Sequence, residues 1–319
     1  MILTVTLNTA LDRTVAVPRI SLGLRHRATE ARRAPGGKGV NVARALKALG
    51  EPVIATGLAG GTTGQRISEL LEAEQVLHDF VTVEGLSRTN ISIVDPTTGS
   101  QTEINERGPQ VSAAELERFS DRLDYLCKGA SFCVFAGSLP PGTPADIYEE
   151  LIGRVTARGV PALLDTDGEP MRRGLRAQPA IVAPNASEAE EAVGWEFSGA
   201  EEIAAGVRGL VEMGASQAII TSANGAHAVL SEDGRKVALS ASIPLLQTVA
   251  SAGSGDAFIA GYVKAQHAGV GATERLSYAV ACGAESTQHL GAGMVDPGAV
   301  EALLGQVEVA ELPVAQPVS

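Results

Sequence analysis

Aromatic side chains are scarce: six Phe, four Tyr and one Trp make up 3% of the 319 residues. Stacking platforms for single-stranded nucleic acids need such rings, so that function class is disfavoured. Positive charge is short as well. The 25 Lys and Arg stand against 37 Asp and Glu, a net charge of −12, which opposes nonspecific nucleic-acid binding through a basic surface. The three cysteines, Cys127, Cys133 and Cys282, make no Cys-x-x-Cys pair, and their odd number argues against a disulfide framework. Buried small apolar residues are the better reading for them. The five histidines are scattered and no His-Glu-x-x-His occurs, so a histidine-based metal site is not expected. No apolar run approaches the roughly 20 residues that cross a bilayer, and no membrane partner is expected. The opening Met1-Ile2-Leu3-Thr4-Val5-Thr6 has neither a basic n-region nor a small-residue cleavage site, so a signal peptide is not expected either. A reducing, cytoplasmic setting follows.

What is present is ample core material, 45% hydrophobic residues, arranged with an α/β rhythm. Residues 2–7 read as a buried first strand. Polar and charged alternation over 13–19 and 25–33 predicts exposed strands outside the main core. Pro35-Gly36-Gly37-Lys38-Gly39 then opens a helix whose Val42, Leu46 and Leu49 share one face, with Gly50 as its stop. Between Arg88 and Asn105, two β-branched runs flank a turn at Asp95-Pro96-Thr97-Thr98-Gly99. These interruptions, at about 13–33 and 88–105, predict one small sheet built from separate insertions. After Ser112 helices and strands alternate regularly. Runs such as Phe132-Cys133-Val134-Phe135 lack alternation, as strands covered on both faces do. The expected fold is therefore α/β, a doubly wound and mainly parallel sheet forming one domain over 1–307. A loosely held tail, with Pro313 and Pro317, is expected over 308–319.

The chain is organised around Ala252-Gly253-Ser254-Gly255-Asp256-Ala257-Phe258-Ile259-Ala260-Gly261. A glycine turn feeding a helix leaves unpaired N–H groups at the positive end of the dipole, an anion site. A carboxylate there is awkward beside a phosphate unless it takes a proton from the hydroxyl attacking that phosphate. An ordinary helix cap explains the stretch equally well when it is taken alone. Other loops are predicted on the same rim, beyond the carboxyl ends of the strands: Asn8–Asp12, Ala136–Gly142, Asp165–Gly168 and Ala183–Glu188. Their carboxylates and amides, spaced among glycines, favour a polar small-molecule site over simple turn chemistry.

Standard nucleotide and hydrolase motifs fail. No GxxxxGK[ST] occurs, Gly253-Ser254-Gly255 lacks a third glycine, and Ser138 lies outside a GxSxG frame. A carboxylate at an anion hole without a covalent nucleophile favours phosphoryl transfer to a hydroxyl.

The passages Thr6-Leu7-Asn8-Thr9-Ala10-Leu11-Asp12, Gly36-Gly37-Lys38-Gly39-Val40-Asn41-Val42-Ala43, Thr102-Glu103-Ile104-Asn105, Gly137-Ser138-Leu139-Pro140-Pro141-Gly142 and Gly253–Gly261 carry a resemblance. From Thr4 to about Ala302 the chain resembles the ribokinase-like (phosphofructokinase B) carbohydrate kinases, in their 1-phosphofructokinase and tagatose-6-phosphate kinase branch. That resemblance implies a small β-sheet lid formed by the insertions, ATP and Mg2+ as cofactors, a phosphosugar substrate, and a homodimer joined through the lid. It implies Asp256 as general base, with Gly253, Ser254 and Gly255 completing the catalytic anion hole. Asp12, Gly37 and Asn41 would hold sugar hydroxyls. Lys38, Arg88 and Arg27 would hold the phosphate on the sugar, with Asn90 two residues on from Arg88 along the same predicted strand and so on the same face. Asn185, Ser222, Asn224, Gly225, Gly253 and Gly255 would bind the nucleotide, and Glu188 with Asn185 the magnesium, through water.

The chain also departs from the family pattern, with Ala183 in place of Lys, Ala250 in place of Asn or Asp, Ser92 in place of Lys, and a nucleotide loop reading Ser222-Ala223-Asn224-Gly225-Ala226-His227. The leading expectation is an ATP-dependent sugar-phosphate kinase, with fructose 1-phosphate first among substrates. The departures set the alternative, a weakly active or inactive paralogue that senses a sugar phosphate.

Overall fold

The computed structural model of the chain describes residues 1–223, 225–246 and 248–312. In chain order, β1 (Ile2–Thr6) is followed by β2 (Ala10–Ala16) and β3 (Glu30–Gly36), then α1 (Lys38–Ala48), β4 (Val53–Gly60), α2 (Gly61–Ala73) and β5 (Leu77–Val83). A hairpin, β6 (Arg88–Val94) and β7 (Gln101–Asn105), interrupts the rhythm before it resumes. It continues with α3 (Ala113–Leu126), β8 (Phe132–Ala136), α4 (Ile147–Thr156), β9 (Ala162–Asp165), α5 (Gly168–Gly174), β10 (Ile181–Val182), α6 (Ala186–Val193), α7 (Ala200–Glu212) and β11 (Ala218–Ser222). The hairpin β12 (Gly225–Glu232) and β13 (Arg235–Ser242) precedes α8 (Ser254–His267), α9 (Ala272–Ser286), α10 (Pro297–Leu304) and β14 (Glu308–Glu311).

The main sheet has ten strands in the order β14-β13-β12-β11-β10-β9-β8-β1-β4-β5. From β11 to β5 every pairing is parallel, and β12, β13 and β14 add antiparallel strands at one edge. One face packs Ile2, Val134 and Leu163 against α1, α8 and α9. On the other, Leu3, Val5, Phe135 and Leu164 pack against α3 and α4. Each such side chain contributes roughly 1.5–3 kcal/mol by burial, which is why these strands read as unbroken apolar runs. All three cysteines are free and buried. No helix among the described residues is long and apolar enough to cross a membrane.

The second sheet is small, β3-β2-β6-β7, with β2 and β6 parallel and the outer pairings antiparallel. It is the insertion-built sheet expected from sequence, with shifted boundaries. The first pair lies at Ala10–Ala16 and Glu30–Gly36, not at 13–19 and 25–33. Leu11 pairs with Pro35 and Asp12 with Ala34, so the strands run into the core from the ends of β1 and α1, and the chain between them is loop. The expected loose tail also needs correction. Residues Glu308–Glu311 form β14, in register with Leu239–Ser242 on the open edge of β13. The rest of that tail, 313–319, lies outside the described residues.

Candidate active site

The carboxyl ends of β8, β9, β10 and β11, the start of α8 and the inner face of the small sheet enclose a cavity of about 720 Å³. Its lining includes Asp12, Gly37, Lys38, Asn41, Arg88, Asn90, Asn185, Glu188, Ser222 and Gly253–Asp256. The rim loops expected from sequence therefore converge. A smaller cleft of about 90 Å³, lined by Thr221, Ser222, Ala223 and Gly225 and by α8, shares Ser222, Ser254 and Gly255 with it.

Helix α8 begins at Gly253, whose φ of 83° is left-handed, a conformation that favours glycine. A Cβ there would overlap Ala292, whereas one on Gly255 would meet nothing within 4 Å. The Ser254 N–H donates to the Ser251 carbonyl at 3.2 Å, but no side chain caps the rest of the first turn of this 14-residue helix, which leaves the Gly255 and Asp256 N–H groups suited to an anion. Asp256 stands in that first turn, 5% exposed. Burial raises its carboxyl to about 7, against the pull of Lys38 and with a further push from Asp165. That value suits a group that must accept a proton near neutral pH. Asn41 Nδ2 donates to Asp256 Oδ2 at 2.8 Å and so fixes the orientation of the carboxylate.

On the small sheet, Asn90 Nδ2 donates to Asp12 Oδ1 at 3.0 Å. Burial raises the Asp12 carboxyl, opposed by that hydrogen bond and by Arg88. The Oδ1 atoms of Asn41 and Asn90 are buried without a hydrogen-bond partner. Unused acceptors in a polar cavity are suited to hydroxyl donors from a ligand. Arg88 is held from behind, Nε donating to the Asn8 carbonyl at 3.2 Å and Nη1 to the Glu106 carbonyl at 3.3 Å. Among the described residues it has no carboxylate ion pair, so its charge stays at the lid end of the cavity, as a site for an anion needs.

At the opposite end, Lys38 Nζ lies 3.0 Å from Asp165 Oδ1 and 2.9 Å from Glu188 Oε1. Burial disfavours the ammonium, but Asp165, Glu188 and Asp256 outweigh it and raise the lysine. Asp165 is itself raised by burial to about 6, against the opposing charge of Lys38. Asn185 caps α6 reciprocally with Glu188: Glu188 N–H donates to Asn185 Oδ1 and Asn185 N–H to Glu188 Oε2. Ser222 lines the cavity and Gly225 only the smaller cleft. Asn224 lies outside the described residues. Arg27 sits on the exposed loop between β2 and β3 and is not among the residues that line the cavity.

Sequence reasoning did not single out Asp165 as a partner of Lys38. Its signal was an acid ending the apolar run Ala162-Leu163-Leu164 at the rim. Nor did it foresee that the Asn8 and Glu106 carbonyls hold Arg88, because backbone carbonyls leave no trace in residue identity.

Comparison with known proteins follows the same outline. The family model of the pfkB family carbohydrate kinases matches residues 6–297. A 1-phosphofructokinase of Rhodobacter capsulatus is 33% identical over 322 residues, covering 98% of each chain. A tagatose-6-phosphate kinase of Staphylococcus epidermidis is 30% identical over 316 residues, covering 98% of this chain and all (100%) of that protein. A crystal structure described as a possible 1-phosphofructokinase from Thermotoga maritima superposes with a TM-score of 0.90 at 26% identity, over 98% of this chain and 100% of that one.

Proposed function

Since the chain belongs to the pfkB family of carbohydrate kinases, we propose that this ATP-dependent kinase acts on a sugar that already carries a phosphate, fructose 1-phosphate first, then tagatose 6-phosphate or fructose 6-phosphate. The observation that carries the reading is the presence, in one cavity, of Arg88 at the lid end and buried Asp256 at the α8 N-terminus. The first is suited to a fixed phosphate, the second to a hydroxyl under attack. Relatives at 30% and 33% identity carry 1-phosphofructokinase and tagatose-6-phosphate kinase names, which supports the substrate class and gives no support to the sensor alternative.

The hydroxyl to be phosphorylated would lie against Asp256, with the other hydroxyls on Asp12, Asn90, Asn41 and the backbone of Gly37. Its oxygen attacks the γ-phosphorus of ATP, forming the new O–P bond as the bond to the β,γ-bridging oxygen breaks. ADP departs with that electron pair, and the hydroxyl proton passes to the Asp256 carboxylate. The α8 first-turn amides stabilise the charge in transit. Asn185, Glu188 and Asp167, hard oxygen donors on the cavity wall, suit Mg2+, and Asn185 and Glu188 would hold it through water. When bound, the ion supplies charge neutralisation to the nucleotide phosphates.

A homodimer through the lid is part of the proposal. Ile104 is 54% exposed there, and Leu22 on the neighbouring loop 99%, an apolar surface suited to a second copy. Arg27 would meet a phosphate from that second copy's lid.

The test is a magnesium-dependent assay of ADP release across these phosphosugars and their unphosphorylated parents. Turnover confined to phosphosugars is expected; turnover on free sugars or nucleosides alone would overturn the substrate assignment.

A further inference from the structure

We infer that Lys38 serves the phosphoryl group in transit, not the phosphate already on the sugar, and that Asp165 is the positioning residue that keeps it there. This rests on the sugar-phosphate kinase reading above and reassigns one of its cations.

The sheet supplies the first argument. Lys38 opens α1, and its stem passes beside Gly137, at the end of β8, where a Cβ would sit 3.6 Å from the Lys38 Cβ. The ammonium continues past that strand to Asp165, the last residue of β9, and to Glu188 in the first turn of α6. Arg88 is anchored instead to the carbonyl of Asn8, just beyond β1. In the sheet order β9-β8-β1, adjacent strands lie about 4.8 Å apart, so the ends of β9 and β1 are separated by roughly 10 Å. A phosphate held by Arg88 is therefore on one side, and the Lys38 ammonium on the other, together with the α8 cradle.

Asp165 supplies the second argument. It is 3% exposed and its carbonyl accepts from the Gly137 N–H at 2.9 Å, so its carboxylate is placed by the sheet and not by a mobile loop. Swinging Lys38 toward Arg88 would break both ion pairs and leave Asp165 charged, buried and without its cation, which is strongly unfavourable. An ammonium has three donors. Asp165 and Glu188 take two, which leaves one for an oxygen in the cavity without dismantling the clamp.

Charge supplies the third argument. Among the described lining residues the cations are Arg13, Lys38 and Arg88. Arg13 and Arg88 belong to lid strands β2 and β6, so Lys38 is the cation available beside the α6 and α8 N-termini. A lysine stem is flexible, and fixing its head in advance is how a positioning contact raises turnover instead of affinity.

The experiment compares Lys38→Met, Asp165→Asn and Arg88→Met with the unmodified protein. Binding of fructose 1-phosphate without nucleotide is measured by calorimetry, with tagatose 6-phosphate and fructose 6-phosphate in parallel, and kcat and KM are measured separately. Lys38→Met is expected to leave phosphosugar Kd within about threefold and to lower kcat by about 100-fold or more. Asp165→Asn should follow the same pattern, with kcat down by about tenfold and phosphosugar KM nearly unchanged. Arg88→Met should weaken phosphosugar binding. A Lys38→Met Kd raised as far as that of Arg88→Met overturns the assignment of Lys38, and wild-type kcat in Asp165→Asn overturns the positioning role. Should Asp165→Asn fail to fold, Lys38→Met still decides where the lysine acts. If the unmodified protein binds none of the three phosphosugars, the functional reading falls and this inference with it.

Discussion

Asn41 Nδ2 and Asp256 Oδ2 meet at 2.8 Å, joining residues 215 positions apart in the chain. Asn41 lies one turn into α1 and Asp256 in the first turn of α8. The bond ties α1 to α8, and it holds the carboxylate of the proposed base.

Replacing that base should separate activity from stability. Asp256→Asn keeps a partner for Asn41 but cannot accept the proton, so kcat should fall by about 10²–10⁴-fold. The folded carboxyl is raised to about 7 from an ordinary 3.8. Below about pH 4 both states are protonated and the shift has no effect on stability. From pH 4 to 7 the unfolded chain loses the proton first, so the cost of folding grows, and it is complete above 7. Thermal unfolding at pH 8 should therefore show Asp256→Asn more stable than the unmodified protein by on the order of 1–4 kcal/mol, with the difference vanishing at pH 4.

The same carboxyl is expected to set the pH dependence of turnover. The acid limb of kcat/KM reports the free enzyme, and Asp256 must be ionised there. The limb is expected to inflect near pH 7, with Asp165, raised to about 6, steepening it at lower pH. An inflection near the ordinary value of 3.8 would contradict the role of Asp256.

Arg88→Met should discriminate between substrates. A lost charge-assisted hydrogen bond costs about 1.5–3 kcal/mol, roughly 10–150-fold in KM for a phosphosugar. The KM for ATP should stay within about threefold, since Arg88 is anchored at the opposite end of the cavity from Asn185 and Ser222.

The two glycines before Asp256 should behave differently. Gly253→Ala introduces a Cβ at φ 83° that overlaps Ala292, so it should lower the unfolding temperature as well as activity. A Cβ on Gly255 meets nothing within 4 Å, so Gly255→Ala should leave the unfolding temperature nearly unchanged. It should still slow turnover, because the methyl occupies the mouth of the cradle.

Much of this was legible in the sequence for a physical reason. Local patterns record local structure: the glycine turn before α8 and the unalternated apolar strands depend on neighbours a few residues away. The destination of the Lys38 ammonium depends on Asp165, 127 residues on, and no local pattern records that. Strand β14 was missed for a similar cause. Glu308-Val309-Ala310-Glu311 is too short to show a period, and it is ordered by the open edge of β13. The first lid strands were displaced because their register follows β6 and the core, not their own charge alternation.

The proposed role of Asp256 is to take the proton from the phosphosugar hydroxyl that receives the γ-phosphoryl group of ATP. Phosphorus NMR of a reaction holding ATP, Mg2+ and fructose 1-phosphate, run with the unmodified protein and with Asp256→Asn, tests it most directly. The account predicts a new phosphomonoester signal at the sugar, growing in step with ADP, and its loss in the variant. ADP released with free phosphate and no new sugar ester, or an equal sugar ester signal from Asp256→Asn, would contradict it.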